Sequence, residues 1–203
     1  MIKYILIALV VGGVVGYLNN NFGGFFANSY VSDYLFNFSL IFLLFVMGFS
    51  FGFDKEAAVK LKRAGLKILV VPLAVGLGSI LGGLVGGLIL GINVFASMAV
   101  SAGFGWYTLA GPLVGQLFGA EFGALGFTVN FLRELLTIVT ISLTVRIDRY
   151  TPIAFGGATT MDTTLPVIVR YCGSEALITA FASGFTLSLA APFTITAIAT
   201  LAH

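Results

Sequence analysis

Asn130, Arg133 and Glu134 lie in the apolar run from Gly123 to Val145, and Asp162 stands alone in the run that follows. A charged side chain at membrane depth is expensive and usually serves a function. Asn130 and Glu134 are spaced i, i+4 and Arg133 is i+3 from Asn130, so on a helix all three can look toward one side. Asp162 sits within Gly156-Gly157-Ala158-Thr159-Thr160-Met161-Asp162-Thr163-Thr164-Leu165-Pro166, between apolar Ile153–Phe155 and Val167–Val169. Two glycines, four threonines and a proline are not the makings of an uninterrupted membrane helix. The stretch reads as a broken helix, which is tolerated at depth only where it is buried in protein or lines a wet cavity.

A pair of carboxylates in a partly dry cavity attracts a cation and can exchange it for a proton. Thr159, Thr160, Thr163 and Thr164 offer hydroxyls to a polar ligand. Arg133 has two readings: it neutralises Glu134 or Asp162 within the bundle, or it holds a substrate carboxylate. From residues alone, the chemistry is transport of a small cation or cationic metabolite, coupled to protons. A monovalent cation/proton antiporter is the alternative. An intramembrane aspartyl hydrolase also needs two membrane acids, but an adjacent arginine works against the shared proton of such a dyad.

These groups must be positioned by membrane helices. The chain has 203 residues, 59% hydrophobic and only 9% charged, with a mean hydropathy of +1.08. A soluble domain is about one quarter charged. The apolar runs are continuous rather than alternating, which argues for helices against a β-barrel. The expectation is an all-α polytopic membrane protein, residues 1–203 forming one integral membrane domain of about seven hydrophobic segments. Lone Cys172 permits no internal disulfide,. His203 is the only histidine, so neither a His/Cys metal site nor a cofactor is expected, and the chain is not read as an enzyme. The few basic residues give no sign of nucleic-acid binding.

Tyr4 to Leu18 is a short, glycine-bearing first run, and Tyr34 to Phe53 is the second span. Asp54 to Lys67 holds five of the ten basic residues and is expected on the cytoplasmic side of the cell membrane. Ile68 to Gly91 is the third span. It carries two interleaved stripes, Gly78-Gly82-Gly86 and Gly83-Gly87-Gly91, suited to close helix packing inside the fold or between copies. A second break is expected around Gly103–Pro112, where glycines bracket Trp106 and Tyr107. These aromatics suit interfacial packing or the lining of a cation-holding cavity. If every run crosses once, Arg146 and Arg149 fall on the side opposite the basic loop; if one broken run re-enters, they share its side.

Three motifs carry a resemblance. Ala102–Gly111 contains a Gly-Phe-Gly-Trp-Tyr signature, Asn130 with Arg133-Glu134 gives N-x-x-R-E, and Gly157–Pro166 gives G-A-T-T-M-D-T-T-L-P. In this order they resemble the lysine exporter (LysO) family, from about the third hydrophobic run to the end of the chain. The resemblance implies export of L-lysine and close analogues across the cytoplasmic membrane, with the two essential intramembrane acids falling on Glu134 and Asp162. It makes an inverted-repeat transporter fold an expectation, although the sequence shows no clear repeat. Longer family members carry further membrane helices upstream of the region corresponding to Met1. A homodimer or a separate small membrane subunit would then complete the fold.

Overall fold

The computed structural model describes residues 7, 10–18, 34–35, 38, 41–42, 45, 49, 59 and 66–202. The chain divides into two compact units, Met1–Asp54 and Lys55–His203. In the first, residues 10–18 are helical, and Phe38 stacks on Phe42 as Phe45 does on Phe49, the i, i+4 pairing of a helix. Most of the second hydrophobic segment and nearly all of the basic stretch Asp54–Lys67 lie outside the described residues.

Among its described residues the second unit is built of helices joined by short turns, and its helices are labelled here from its first long one. They are α1 (Val70–Leu90), α2 (Val94–Ser101), α3 (Tyr107–Phe118), α4 (Ala120–Thr144), α5 (Thr151–Gly156), α6 (Leu165–Cys172) and α7 (Ala176–Ala202). Helices α1, α4 and α7 are long and apolar enough to cross a membrane, 21 residues giving about 30 Å. This is a polytopic helical membrane protein.

The four short helices pair into two hairpins. Helices α1 and α4 run antiparallel: Ser79 meets Arg133, and Val71 at the start of α1 packs against the cluster of Ile141, late in α4. The end of the bundle where α1 begins is called the near end. Helix α2 starts at the far end and descends along α1, with Gly87 against Ser97, Gly83 against Ser101, and Gly76 near Phe104. Helix α3 does not continue downward. It returns along the first half of α4, with Tyr107 against Phe131, Gly111 against Phe127 and Gly115 against Gly123. Gly119, at φ +99°, makes the tight link from α3 to α4.

The second hairpin rises from the near end. Ile153 of α5 packs with Ile141, and Gly156 lies near Thr137. Helix α6 then descends again, because Ile168 rejoins the cluster of Ile141 and Ile153. The order span then hairpin therefore occurs twice in opposite directions, as α1 with α2–α3 and α4 with α5–α6. Helix α7 closes the bundle.

Local chemistry explains the interruptions. Phe104 and Gly105 take φ +53° and +105°, and two successive left-handed residues end a right-handed helix. The first break is narrower than Gly103–Pro112: it spans Ala102–Trp106, and Pro112 lies inside α3. In the second, Gly157 at φ +61° ends α5, a 3-10 turn covers Gly157–Met161, and Asp162 precedes α6. Pro166 sits in the first turn of α6, where its missing N–H leaves no helical bond unmade. Of the glycine stripes on α1, Gly83 and Gly87 serve the fold, since a Cβ there would fall 2.6 Å and 2.9 Å from atoms of Ser97. Gly78, Gly82 and Gly86 meet nothing within 4 Å among the described residues.

Candidate functional site

The two hairpin tips meet in the middle of the bundle. The Ala158 N–H donates to the Phe104 carbonyl at 2.7 Å. Gly105 and Gly156 also approach closely, a Cβ on Gly105 falling 3.1 Å from the Gly156 oxygen. Phe104 is 1% exposed, and its ring lies by Gly76 of α1 and near Leu187 of α7. A bulky residue with positive φ is a strained one, held here by packing on all sides.

The three polar residues of α4 serve three different partners. Asn130 is buried and serves the first tip: its Oδ1 accepts from the Gly105 N–H at 2.7 Å, and its Nδ2 donates to the carbonyls of Val100 at 2.9 Å and Gly126 at 2.8 Å. All of its main hydrogen-bonding capacity is used, so it is a staple for the interrupted backbone.

Arg133 serves the second tip. Its Nε donates to the Phe155 carbonyl at 2.7 Å, one terminal nitrogen to the Ala154 carbonyl at 2.9 Å, and the other to Ser79 Oγ of α1 at 2.9 Å. The last carbonyls of a helix lack partners within it, and Arg133 supplies them for α5. Gly157 lies directly over the guanidinium, where a Cβ would sit 3.0 Å from Cζ. Thr137 braces the same turn of α4 by donating to the Arg133 carbonyl at 2.7 Å.

Glu134 turns the other way. The Thr163 hydroxyl approaches its carboxylate, and Asp162 lies near enough for its charge to act on it. Tyr107 is within electrostatic reach of both acids. Neither acid forms an ion pair among the described residues, and Glu134 Oε2 is buried with no hydrogen-bond partner there. Asp162 is exposed and its Oδ1 accepts from the Thr163 N–H at 2.6 Å. Tyr107 meets Phe127 and Phe131 edge-to-face, with centroids 5.4 Å and 5.6 Å apart. The site face thus consists of Glu134, Asp162, Thr163 and Tyr107, beside an aromatic wall.

Of the remaining expected site residues, Thr159 and Thr160 are used internally. Thr159 is buried, donates to the Gly156 carbonyl at 2.9 Å and lies 3.3 Å from Thr164 Oγ1. Thr160 is buried, and its hydroxyl lies 2.7 Å from the Ala180 carbonyl of α7 and 2.8 Å from the Gly157 carbonyl. Trp106 is half-buried, and its backbone N–H donates to the Gly103 carbonyl at 2.8 Å. Sequence reasoning did not find Ser79, Phe104, Phe127 or Phe131. Ser79 had a faint signal, a hydroxyl in a glycine-rich apolar helix; three phenylalanines among the chain's twenty had none.

Hairpin tips meeting between long apolar helices, with two acids beside them, define a multi-span membrane protein with an interrupted-helix polar centre. Residues 6–199 match the family described as lysine exporter LysO, and the chain belongs to that family. It is similar to the Escherichia coli protein named lysine exporter LysO, 36% identical over 137 residues, covering 68% of this chain and 45% of that one. It is also similar to a Haemophilus influenzae protein provisionally named a lysine exporter, 35% identical over 95 residues, covering 47% of this chain and 49% of that one. The matches thus span about half the length of these relatives. No solved structure matches the chain.

Proposed function

We propose that this chain carries L-lysine and close cationic analogues out of the cytoplasm across the cell membrane, in exchange for protons, with Glu134 and Asp162 as the translocating pair. The observation that carries the reading is the nearness of these two acids beside the hairpin tips, with no basic partner among the described residues. An unpaired carboxylate at membrane depth is costly, and a bound ammonium or a proton relieves that cost equally. Alternation between the two is exchange. The names borne by the E. coli and H. influenzae relatives support lysine as the cargo. Interrupted helices at the bundle centre are where such carriers bind substrates and ions.

The hairpins support an orientation. If both re-enter the side from which they start, α1 and α4 each cross once between the basic stretch and Arg146. Arg146 and Arg149 then share the side of Asp54–Lys67, as the positive-inside tendency requires, and the near end is cytoplasmic.

The test is labelled lysine flux in proteoliposomes, with and without a proton gradient, for the unmodified chain, Glu134→Gln and Asp162→Asn. The expected result is flux enhanced by the gradient and reduced at least about tenfold in each variant, as loss of one charged contact entails. Undiminished flux in Asp162→Asn would remove that residue from the mechanism, and sodium flux in place of lysine flux would favour a cation/proton antiporter.

A further inference from the structure

We propose that the same site also accepts linear α,ω-diamines, chains with an ammonium at each end and no carboxylate. The inference rests on the reading of Glu134 and Asp162 as the binding pair and extends it to a second substrate class.

The argument is one of charge. The site face presents two carboxylates from different elements, Glu134 from α4 and Asp162 from the second hairpin. A zwitterionic amino acid with a cationic side chain brings two ammonium groups and one carboxylate, and the carboxylate needs a donor. Arg133 is the basic residue nearest in sequence to either acid, and it does not face them. Three of its N–H groups hold Phe155, Ala154 and Ser79, and the backbone of Gly157 covers the guanidinium. Arg170 is in the last turn of α6, and Arg149 pairs with Glu175 at 2.9 Å in the near-end loops.

Among the described residues, then, the donors near the acids are neutral: the N–H and hydroxyl of Thr163, with the Tyr107 hydroxyl close by. Such a site gains little from a carboxylate, and a dication neutralises both acids where a net monocation leaves one charge uncompensated. The aromatic wall of Tyr107, Phe127 and Phe131 suits an alkyl chain and can face an ammonium. The site selects for two ammonium groups and tolerates the carboxylate.

The experiment uses the whole chain in proteoliposomes. Labelled lysine flux is competed with 1,5-diaminopentane, with lysinamide and with 6-aminohexanoate, which keeps a carboxylate and a single ammonium. Flux of labelled 1,5-diaminopentane is measured in parallel. The expected result is that the diamine and lysinamide compete at least as well as unlabelled lysine, that 6-aminohexanoate is weaker by about tenfold or more, and that labelled diamine is itself transported. Lysine flux that persists under a tenfold excess of diamine overturns the proposal and leaves lysine transport standing. Competition without diamine transport overturns the claim of a second substrate. Absence of flux for lysine and diamine alike overturns this inference together with the function on which it rests.

Discussion

The Ala158 N–H and the Phe104 carbonyl join the two interrupted hairpins at 2.7 Å, at the only point where backbone from the first tip is hydrogen-bonded to backbone from the second among the described residues. Each partner is set by an unusual neighbour. Phe104 itself is left-handed, and Gly157 precedes Ala158 at φ +61°. The two acids of the site flank this junction, Glu134 from the span beneath the tips and Asp162 at the end of the second turn. The geometry of the charge pair therefore depends on how the tips meet.

Gly157→Ala should separate the tips. A Cβ there would overlap the Phe104 oxygen and press on Arg133, at a φ that L side chains avoid. We expect a destabilisation of about 2–4 kcal/mol, from strain plus a broken buried hydrogen bond. Gly82→Ala, facing nothing within 4 Å among the described residues, should be neutral or slightly stabilising. Thermal unfolding of the two variants in detergent makes the comparison, and equal stability would contradict the described junction.

Asn130→Ala should unfold the first tip, leaving the Gly105 N–H without its partner and the Val100 carbonyl with only the backbone N–H groups of its own turn. Each buried group left unsatisfied costs about 1–3 kcal/mol. Asn130→Asp keeps the acceptor for Gly105 but loses both donors, so it should be only a partial rescue. Unfolding temperatures in the order wild type, Asp, Ala would bear this out; Asp equal to wild type would not.

Arg133→Lys should fail despite its retained charge, because one ammonium on a flexible stem does not reproduce three N–H bonds to two carbonyls and Ser79,. The expected signature is a fall in maximal flux with little change in the half-saturating lysine concentration. If Arg133 instead held the substrate carboxylate, half-saturation would rise steeply for lysine and not for lysinamide. Kinetics with both substrates separates the two roles.

The hairpins predict sidedness. With Cys172 replaced by serine, single cysteines at Asn93 and Gly119 should react with an impermeant maleimide from one side of the membrane. Cysteines at Asp148 and Ser174 should react from the other. Opposite labelling of positions 93 and 119 would mean that α2 and α3 cross the membrane as one span.

Much of this was legible in the sequence. The polar interruptions announced both breaks, because glycine pairs and a lone acid do not persist in an apolar helix. What the sequence could not show is direction. A break at depth looks the same whether the chain passes on or turns back, and the difference lies in long-range packing such as Ile168 rejoining Ile153 and Ile141. The separate roles within the α4 triad were hidden for a related reason. Spacing i, i+3 and i+4 puts Asn130, Arg133 and Glu134 on one broad face, but that face is wide enough to meet both tips. Asn130 is drawn to the first by its free backbone groups, Arg133 to the open carbonyls of α5, and only Glu134 is left for the site. The same demand for partners absorbs Thr159 and Thr160, whose hydroxyls hold the turn together, while Thr163 alone of the proposed threonines faces the acids.

The most direct test is a double-mutant cycle on lysine affinity, measured by equilibrium binding to the purified protein for wild type, Glu134→Gln, Asp162→Asn and the double variant. If the two acids form one site, the effects are non-additive, with a coupling of at least about 1 kcal/mol. Additive losses, or a variant that binds lysine as wild type does, would show that Glu134 and Asp162 do not act together on the substrate and would contradict the account.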